Sequence, residues 1–435
     1  MGLFQIIAAL ITLAAVFSYL NRRYIRMPMT IGIMLIALLM SALLIALHRF
    51  GWTFDEQARA LLAAVDFNRT LFQGMLAFLL FAGALHVELS DLVEDRWVIT
   101  SLATVGVVLS TVIVGALMWL LLKLVGLGIP AAYCFLFGAL ISPTDPIAVL
   151  GILKSVGAPK SLEAKIAGES LFNDGIGVVV FILLLEVATG GHDVTVRSVA
   201  TLFAQEALGG AAFGFGSGAV AYFMLKSVDD YQVEILITLA LVMGTYALAG
   251  VFHLSGPIAV VVAGLLTGNR GRRLAMSART REHLDTFWEL IDEILNAVLF
   301  VLIGLEVLVL AFTARYVVAG CVAIPIVLFA RLVSVSAPVK LLGWRRDFDL
   351  RTIRILTWAG LRGGISVALA LALPRGPERE VIVAITYSVV LFSIVVQGLS
   401  IGWVIRHSGI ATLSGQLGRN ASSEAGPTLE EEWTI

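Results

Sequence analysis

Apolar runs long enough to cross a lipid bilayer recur along almost the whole chain. A membrane-spanning helix needs about 20 mostly apolar residues to cross a hydrocarbon core of about 30 Å. Of the 435 residues, 59% are hydrophobic and only 14% are charged, too few charges for the water-exposed surface of a soluble protein of this size. The sequence therefore predicts an all-α polytopic membrane protein.

The runs predict about thirteen transmembrane helices followed by a polar tail. The predicted spans, in chain order, are approximately 2–20, 27–47, 69–88, 98–122, 131–153, 162–187, 199–225, 232–252, 255–269, 286–312, 316–339, 352–373 and 381–405. The remaining residues, 406–435, are rich in Ser, Gly and Glu, a composition that predicts a short disordered tail.

Positive charges are distributed unevenly between alternate loops. The odd-numbered loops and the tail hold 20 Lys and Arg residues, whereas the even-numbered loops hold 8. Because basic loops stay in the cytoplasm, this bias predicts a cell-membrane protein with its N-terminus outside and its C-terminus in the cytoplasm. The other two of the 30 basic residues, Arg331 and Arg362, lie inside spans, where an arginine normally faces a cavity or a carboxylate.

Two of the spans contain residues that interrupt a helix. Span five carries Ile141-Ser-Pro-Thr-Asp-Pro146, and span twelve carries Ala359-Gly-Leu-Arg-Gly-Gly364. Because proline removes a backbone donor, an extended break with free carbonyls is expected, and it survives at membrane depth only when buried in protein or lining a cavity. Two interrupted helices seven spans apart predict inverted six-helix repeats and the binding site of a secondary transporter, with kinked structural helices as the alternative.

Span six carries four polar residues at membrane depth. Residues four apart share a helix face, so Glu169 stacks with Asn173, and Ser170 stacks with Asp174. Hard monovalent cations prefer oxygen ligands, so we predict a Na⁺ site formed by Asp174, Ser170 and Thr144 with the freed carbonyls near Thr144. Burial favours the protonated form of a carboxyl group, which lets a proton replace the cation. Competition for one carboxylate, combined with alternating access, is sufficient for exchange.

The second carboxylate of this span, Glu169, needs a counter-charge. An unpaired carboxylate buried beside Asp174 would be costly. Arg331 or Arg362 can neutralise it, and Asp174 is then the lone titrating group. The sequence therefore predicts a structural ion pair at Glu169 and leaves the choice of its arginine open.

The cysteines and the remaining ionisable residues predict no second binding site. Cys134 and Cys321 lie in apolar runs without the spacing of a disulfide framework or zinc site, so we predict no cofactor. The chain has no basic tail, and we predict no nucleic-acid partner. Asp292, Glu293 and Glu306, in or near span ten, are interpreted as solvated helix ends, with an entry funnel as the alternative.

Two runs about thirty residues apart, Ser142-Pro-Thr-Asp-Pro-Ile-Ala-Val149 and Gly168-Glu-Ser-Leu-Phe-Asn-Asp-Gly175, resemble the signature of the NhaP/NHE-type sodium/proton antiporters of the cation:proton antiporter superfamily. The runs Asp292–Gly304 and Gly360–Gly364 also resemble that family. The resemblance implies a thirteen-helix fold with two crossed discontinuous helices, spans five and twelve. It also implies a homodimer in which a core domain moves against a dimerisation domain.

The same resemblance assigns roles to single residues. It makes Asn173-Asp174 the pair associated with electroneutral exchange and places Thr144 and Asp145 at the helix crossing. It pairs Glu169 with an arginine of a neighbouring helix, Arg331 in preference to Arg362. Within a transmembrane domain at 1–405, it places the core elements near 98–190 and 316–405, and the other helices form the dimerisation part.

One position departs from the family pattern. Many prokaryotic members carry an acid in a Phe-Glu-Gly type run of span three, where this chain reads Leu80-Phe-Ala-Gly-Ala84. A supplementary carboxylate ligand is therefore missing at Ala82. The preference among Na⁺, Li⁺ and K⁺ stays open as a result.

The function predicted from these features is exchange of Na⁺ or Li⁺ for H⁺ across the cytoplasmic membrane, electroneutral and by alternating access. The partners are the cation, the proton, membrane lipid and a second copy of the chain. K⁺/H⁺ exchange is the alternative on the same scaffold. A cation channel is less favoured, and so is an intramembrane enzyme, because the sequence has no HExxH pair and no GxSxG elbow in a suitable context.

Overall fold

A computed structural model of the chain describes residues 3–50, 62, 70–155, 157–189, 196–309, 313–342 and 350–408. Within these residues the regular structure is all helix. Eight helical segments of the described chain are long and apolar enough to cross a membrane, and shorter apolar helices accompany them. The predicted all-α membrane fold is confirmed, whereas the count of thirteen spans and the inverted repeat stay predictions. Most of the predicted tail, 409–435, lies outside the described residues.

The helices up to the polar stretch of the sixth predicted span are α1 (Leu3–Leu20), α2 (Met29–Arg49), α3 (Leu76–Leu85), α4 (Leu89–Glu94), α5 (Arg96–Ser101), α6 (Val107–Leu124), α7 (Ala131–Ile141), α8 (Ile147–Ser155) and α9 (Lys160–Ala188). The later helices are α10 (Val196–Ser227), α11 (Tyr231–Val251), α12 (Gly256–Leu266), α13 (Arg272–Leu274), α14 (Ala278–Glu306), α15 (Ala314–Leu342), α16 (Leu350–Trp358), α17 (Gly364–Leu371), α18 (Pro377–Phe392) and α19 (Gly398–His407). Short π-helical segments extend or join several of them, including Ser393–Gln397 between α18 and α19.

Local sequence fixes where the helices begin. Pro159 precedes α9, where its missing amide costs nothing because the first turn has no internal acceptor. The Asp230 carboxylate caps α11 by accepting a hydrogen bond from the backbone N of Gln232 at 2.9 Å. The Ser277 hydroxyl caps α14 by accepting one from the backbone N of Thr280 at 3.4 Å. The helix α14 therefore begins well before the start of 286 predicted for span ten.

Two apolar clusters hold the helices together. The larger cluster joins α2, α6, α7, α9, α14, α15, α17 and α18, and the second joins α3, α10, α11, α12 and α14. Glycine lets neighbouring backbones approach closely, because a Cβ on Gly138 of α7 would collide with the Thr111 carbonyl of α6. The long helix α14 contributes to both clusters and so connects the two parts of the molecule.

The outer surface of the bundle is apolar. Large side chains such as Leu124, Phe223, Leu236 and Trp403 are each more than 60% exposed. Exposed side chains of this kind are unfavourable in water and are typical of helices that face lipid.

Two helices are interrupted where the sequence predicts breaks. The first break separates α7, which ends at Ile141, from α8, which begins at Ile147. The second separates α16, which ends at Trp358, from α17, which begins at Gly364. The two breaks touch, because the backbone N of Asp145 donates a hydrogen bond to the Leu361 carbonyl at 2.7 Å. The two discontinuous helices therefore meet at their breaks, beside the middle of α9.

Candidate cation-binding site

Arg362 satisfies the carbonyls that the first break leaves free. Pro143 and Pro146 cannot donate backbone hydrogen bonds, so the α7 helix cannot continue through them. A guanidinium nitrogen of Arg362, Nη1, donates to the carbonyls of Ser142 and Pro143, the latter at 2.9 Å. The arginine of the second break thus places its charge at the C-terminal end of α7, where the helix dipole favours a cation.

Side chains of α9 hold the first break against that helix. The side-chain amide of Asn173 makes two hydrogen bonds to Thr144. The backbone N of Thr144 donates to Asn173 Oδ1 at 3.2 Å, and Asn173 Nδ2 donates to Thr144 Oγ1 at 2.8 Å. The Ser170 hydroxyl donates to the Thr144 carbonyl. All three residues are at most 5% exposed. The structure therefore brings these predicted residues together and fixes the Thr144 oxygens beside α9.

Asp174 lies on the same face of α9 as Ser170, one helical turn further along. It is 8% exposed, and within the described part of the chain no group donates a hydrogen bond to it. The carboxyl of Asp145 is close enough to interact with it electrostatically. A buried carboxylate without donors is costly unless a proton or a cation binds it. The arrangement therefore fits a group that is occupied alternately by the two.

Glu169 is engaged by Arg331. The two guanidinium nitrogens Nη1 and Nη2 donate to the two carboxylate oxygens, with Nη2 and Oε2 at 2.9 Å, and Nη2 also donates to the Leu356 carbonyl at 3.1 Å. Both side chains are buried, at 8% and 2% exposure. Arg362 instead binds the carbonyls of the first break. The pair is bidentate, which fixes its geometry as well as its charge.

Ser393 and Gln397, two residues that the sequence reasoning missed, hold the second break. The Ser393 hydroxyl accepts a hydrogen bond from the backbone N of Arg362 at 2.8 Å and donates to Gln397 Oε1 at 2.7 Å. Gln397 Nε2 donates to the Trp358 carbonyl, the last residue of α16, at 3.1 Å. Both side chains are at most 3% exposed. This π-helical segment thus satisfies backbone groups on both sides of the break.

Removing the Ser393 hydroxyl is expected to destabilise the fold. In Ser393→Ala the backbone N of Arg362 and the Gln397 amide oxygen each lose a buried partner, at a cost of about 1–3 kcal/mol in the free energy of unfolding. Thermal unfolding of the purified protein in detergent measures the change. Ser393→Thr keeps the hydroxyl and should retain stability.

The matched control for that substitution is Ser388→Ala. The Ser388 hydroxyl lies in the same predicted span and donates to the Ala384 carbonyl of its own helix at 2.9 Å. Equal destabilisation by Ser388→Ala and Ser393→Ala would contradict a special role for Ser393.

The position of the missing acid is filled by apolar packing. Ala82 on α3 is 1% exposed and belongs to the same apolar cluster as Trp288 of α14. The next residue, Gly83, faces α9, because a Cβ there would lie 3.9 Å from Leu171 Cδ1. The helix α3 therefore approaches the site without offering a carboxylate at this position.

The chain is similar to known proteins over most of its length. Residues 9–407 match the family model described as sodium/hydrogen exchanger, transmembrane. The chain is 51% identical over 407 residues to the Na⁺/H⁺ antiporter NhaP of Pseudomonas aeruginosa, covering 92% of this chain and 96% of that one. It is 36% identical to the Na⁺/H⁺ antiporter NhaH of Halobacillus aidingensis, covering 86% and 92%.

The fold has a solved counterpart. The sodium proton antiporter MjNhaP1 of Methanocaldococcus jannaschii superposes with a TM-score of 0.73 at 17% identity, covering 93% of this chain and 98% of that one. At this identity the likeness concerns the fold alone. The sequence match over nearly the whole chain decides the assignment: the chain belongs to the sodium/hydrogen exchanger family of transmembrane transporters.

Proposed function

We propose that this protein exchanges Na⁺ or Li⁺ for H⁺ across the cell membrane, with Asp174 as the group that carries either ion. The observation that supports this most is the buried Asp174 carboxylate, which lacks a hydrogen-bond donor among the described residues. The carbonyl and hydroxyl oxygens of Thr144 and Ser170 lie beside it as further ligands for a hard cation. The relatives named Na⁺/H⁺ antiporters support Na⁺ as that cation.

The charges at the site favour electroneutral exchange. Glu169 and Arg331 form an ion pair whose charges cancel, and Asn173 contributes an uncharged amide beside Asp174. Asp145 adds one negative charge and Arg362 adds one positive charge at the crossing, so these two also cancel. Asp174 then remains to bind one cation or one proton. The loaded carrier has the same charge in both cases, so a cycle moves no net charge.

The proposed transport cycle moves the crossed breaks between the two sides of the membrane. The predicted core elements, near 98–190 and 316–405, contain Thr144, Ser170 and Asn173, the ion pair and the two breaks. The remaining helices would form a scaffold and the dimerisation surface of a homodimer. The N-terminus is proposed to lie outside and the C-terminus in the cytoplasm.

Purified protein in lipid vesicles that contain a pH-sensitive dye tests this function. Addition of Na⁺ or Li⁺ should drive a saturable proton flux in the opposite direction, and an imposed membrane potential should leave its rate unchanged. A response to K⁺ alone would favour K⁺/H⁺ exchange. A sustained current without saturation would favour a channel, and the absence of any flux would contradict the proposal.

Competition for Asp174 makes a further prediction about pH. Acidification protonates the carboxylate, so more Na⁺ is needed to occupy it, and the KM for Na⁺ should rise as the pH falls. The maximal rate at saturating Na⁺ should change little, because excess cation displaces the proton. Initial rates measured over a matrix of Na⁺ concentration and pH check this. A fall in maximal rate at constant KM would contradict competition.

A further inference from the structure

Asp292 is an acid of α14 that the proposed exchange site does not use. It is the middle residue of the 29-residue helix α14, as Asp174 is of the 29-residue helix α9. A position so far from both ends does not fit a solvated helix terminus. Its side chain is partly buried, whereas the acids Glu289 and Glu293 on either side of it are exposed, so Asp292 faces the protein.

Asp292 lies on the face of α14 that points to the second break. Trp288, Asp292, Asn296 and Leu299 follow one another at spacings of three or four residues, so they share one helix face. At one end of this face Trp288 packs on Phe81 of α3, with ring centroids 4.7 Å apart. At the other end Leu299 packs on α17.

The contact of Leu299 fixes the register of this face against the crossing. Leu299 occupies the space that a Cβ on Gly364 would need, at 2.7 Å from its Cδ2 atom. The preceding residue, Gly363, lies against the carboxyl of Asp145, which leaves no room for a side chain there. The face of α14 therefore passes next to the glycines that contact Asp145.

The carboxyl groups of Asp292 and Asp145 are close enough to repel each other. Asp145 interacts in the same way with Asp174. Asp145 of the first break is therefore the carboxyl group that interacts with both Asp292 of α14 and Asp174 of α9. A cation that passes from Asp292 to Asp174 by way of Asp145 would exchange one negative partner for the next.

Asn296 adds a buried amide to the same face. It is 2% exposed and interacts with the Asp292 carboxyl, one turn back along α14. Within the described chain its Oδ1 receives no hydrogen bond. An amide oxygen without a donor is a suitable ligand for a hard cation.

We propose that Asp292 and Asn296 form a second, transient site for the monovalent cation, from which it passes to Asp145 and Asp174. This site rests on the proposed exchange function. It lies on α14, outside the predicted core elements, so the cation passes between the scaffold and the core. It supplies from α14 the carboxylate that α3 lacks at Ala82.

The test compares Asp292→Asn with wild type in lipid vesicles, with Na⁺ as the probe. The KM for Na⁺ should rise about tenfold, the loss expected for one contact to a charged group, while the maximal rate stays near wild type. Asp292→Glu should restore the wild-type KM. The exposed neighbour Glu293 provides the matched control, since Glu293→Gln removes an adjacent charge and should change nothing.

A second readout does not depend on transport. Na⁺ that binds the folded protein raises its unfolding temperature in detergent, and Asp292→Asn, which loses one of the two binding positions, should show a smaller rise at the same Na⁺ concentration. If Asp292→Asn does not yield folded protein, Asn296→Leu tests the site in its place and should raise the KM in the same direction.

Three outcomes separate this site from the exchange function itself. A wild-type KM in both Asp292→Asn and Asn296→Leu would overturn the second site and leave the exchange function intact. A lower maximal rate at unchanged KM would also overturn it, because that pattern indicates a structural role. Wild-type protein that moves no protons on addition of Na⁺ would contradict the proposed function instead.

Discussion

Replacing Asp174 by Asn is expected to abolish Na⁺-driven proton flux and to leave the protein folded. The amide has nearly the shape of the carboxylate, but it neither holds a proton at neutral pH nor offers a negative charge to a cation. A neutral amide also avoids the cost of a buried charge, so stability should not fall. In dye-loaded vesicles the rate should drop to that of protein-free vesicles.

The control for this substitution lies on the same helix. Glu186 is exposed near the end of α9, so Glu186→Gln removes a carboxylate of α9 without touching the site and should leave the rate unchanged. Gel filtration and thermal unfolding in detergent verify that Asp174→Asn is folded, and the stabilisation of the protein by Na⁺ should decrease. Proton exchange at the wild-type rate in Asp174→Asn would mean that another group carries the ion.

The breaks could be predicted because their causes are local. Pro143, Pro146 and the glycines around Arg362 disrupt a helix wherever they occur, so the sequence places both interruptions within a few residues. What the sequence does not contain is their mutual contact. The hydrogen bond between Asp145 and Leu361 joins residues far apart in the chain and depends on how the whole bundle packs.

The partner of Glu169 shows how far composition narrows a long-range contact. Arg331 and Arg362 are the arginines that lie far from the ends of the predicted spans, so the need for a buried counter-charge leaves two candidates. Spacing cannot choose between them. The choice depends on which arginine the carbonyls of the first break engage, and in the structure that arginine is Arg362.

The sequence gives no signal for Ser393 and Gln397, and for Asp292 it favours a solvated helix end, with an entry funnel as the alternative. A hydroxyl in a membrane helix often bonds a carbonyl of its own helix, as Thr386 does with Ile382, so Ser393 carries no distinguishing signal. Asp292 was interpreted as a helix end because the charged first half of α14 lowers the hydropathy there. The predicted start of 286 then placed Asp292 near a boundary, whereas the helix begins at Ala278.

Breaking the ion pair of Glu169 and Arg331 from one side is expected to destabilise the protein severely. Glu169→Gln keeps the shape of the side chain but leaves the Arg331 guanidinium buried without a counter-charge, at a cost of about 3–5 kcal/mol. Thermal unfolding in detergent should show a large fall in the midpoint, and the yield of folded protein should decrease. The partly exposed pair Arg272 and Asp285, whose side chains are each 27% exposed, provides the comparison, since Asp285→Asn should cost about 1 kcal/mol.

Removing both charges together should restore most of this stability. In the double variant Glu169→Met with Arg331→Met, two apolar side chains replace a buried pair whose desolvation already offsets much of its attraction, so stability should return to within about 1 kcal/mol of wild type. The pair binds no transported ion in the proposed cycle. The folded double variant should therefore also retain Na⁺-dependent exchange. A double variant as unstable as Glu169→Gln would show that packing, not the uncompensated charge, causes the loss. A stable double variant without exchange would instead place the pair in the ion pathway and contradict the assignment of Asp174 as the lone carrier.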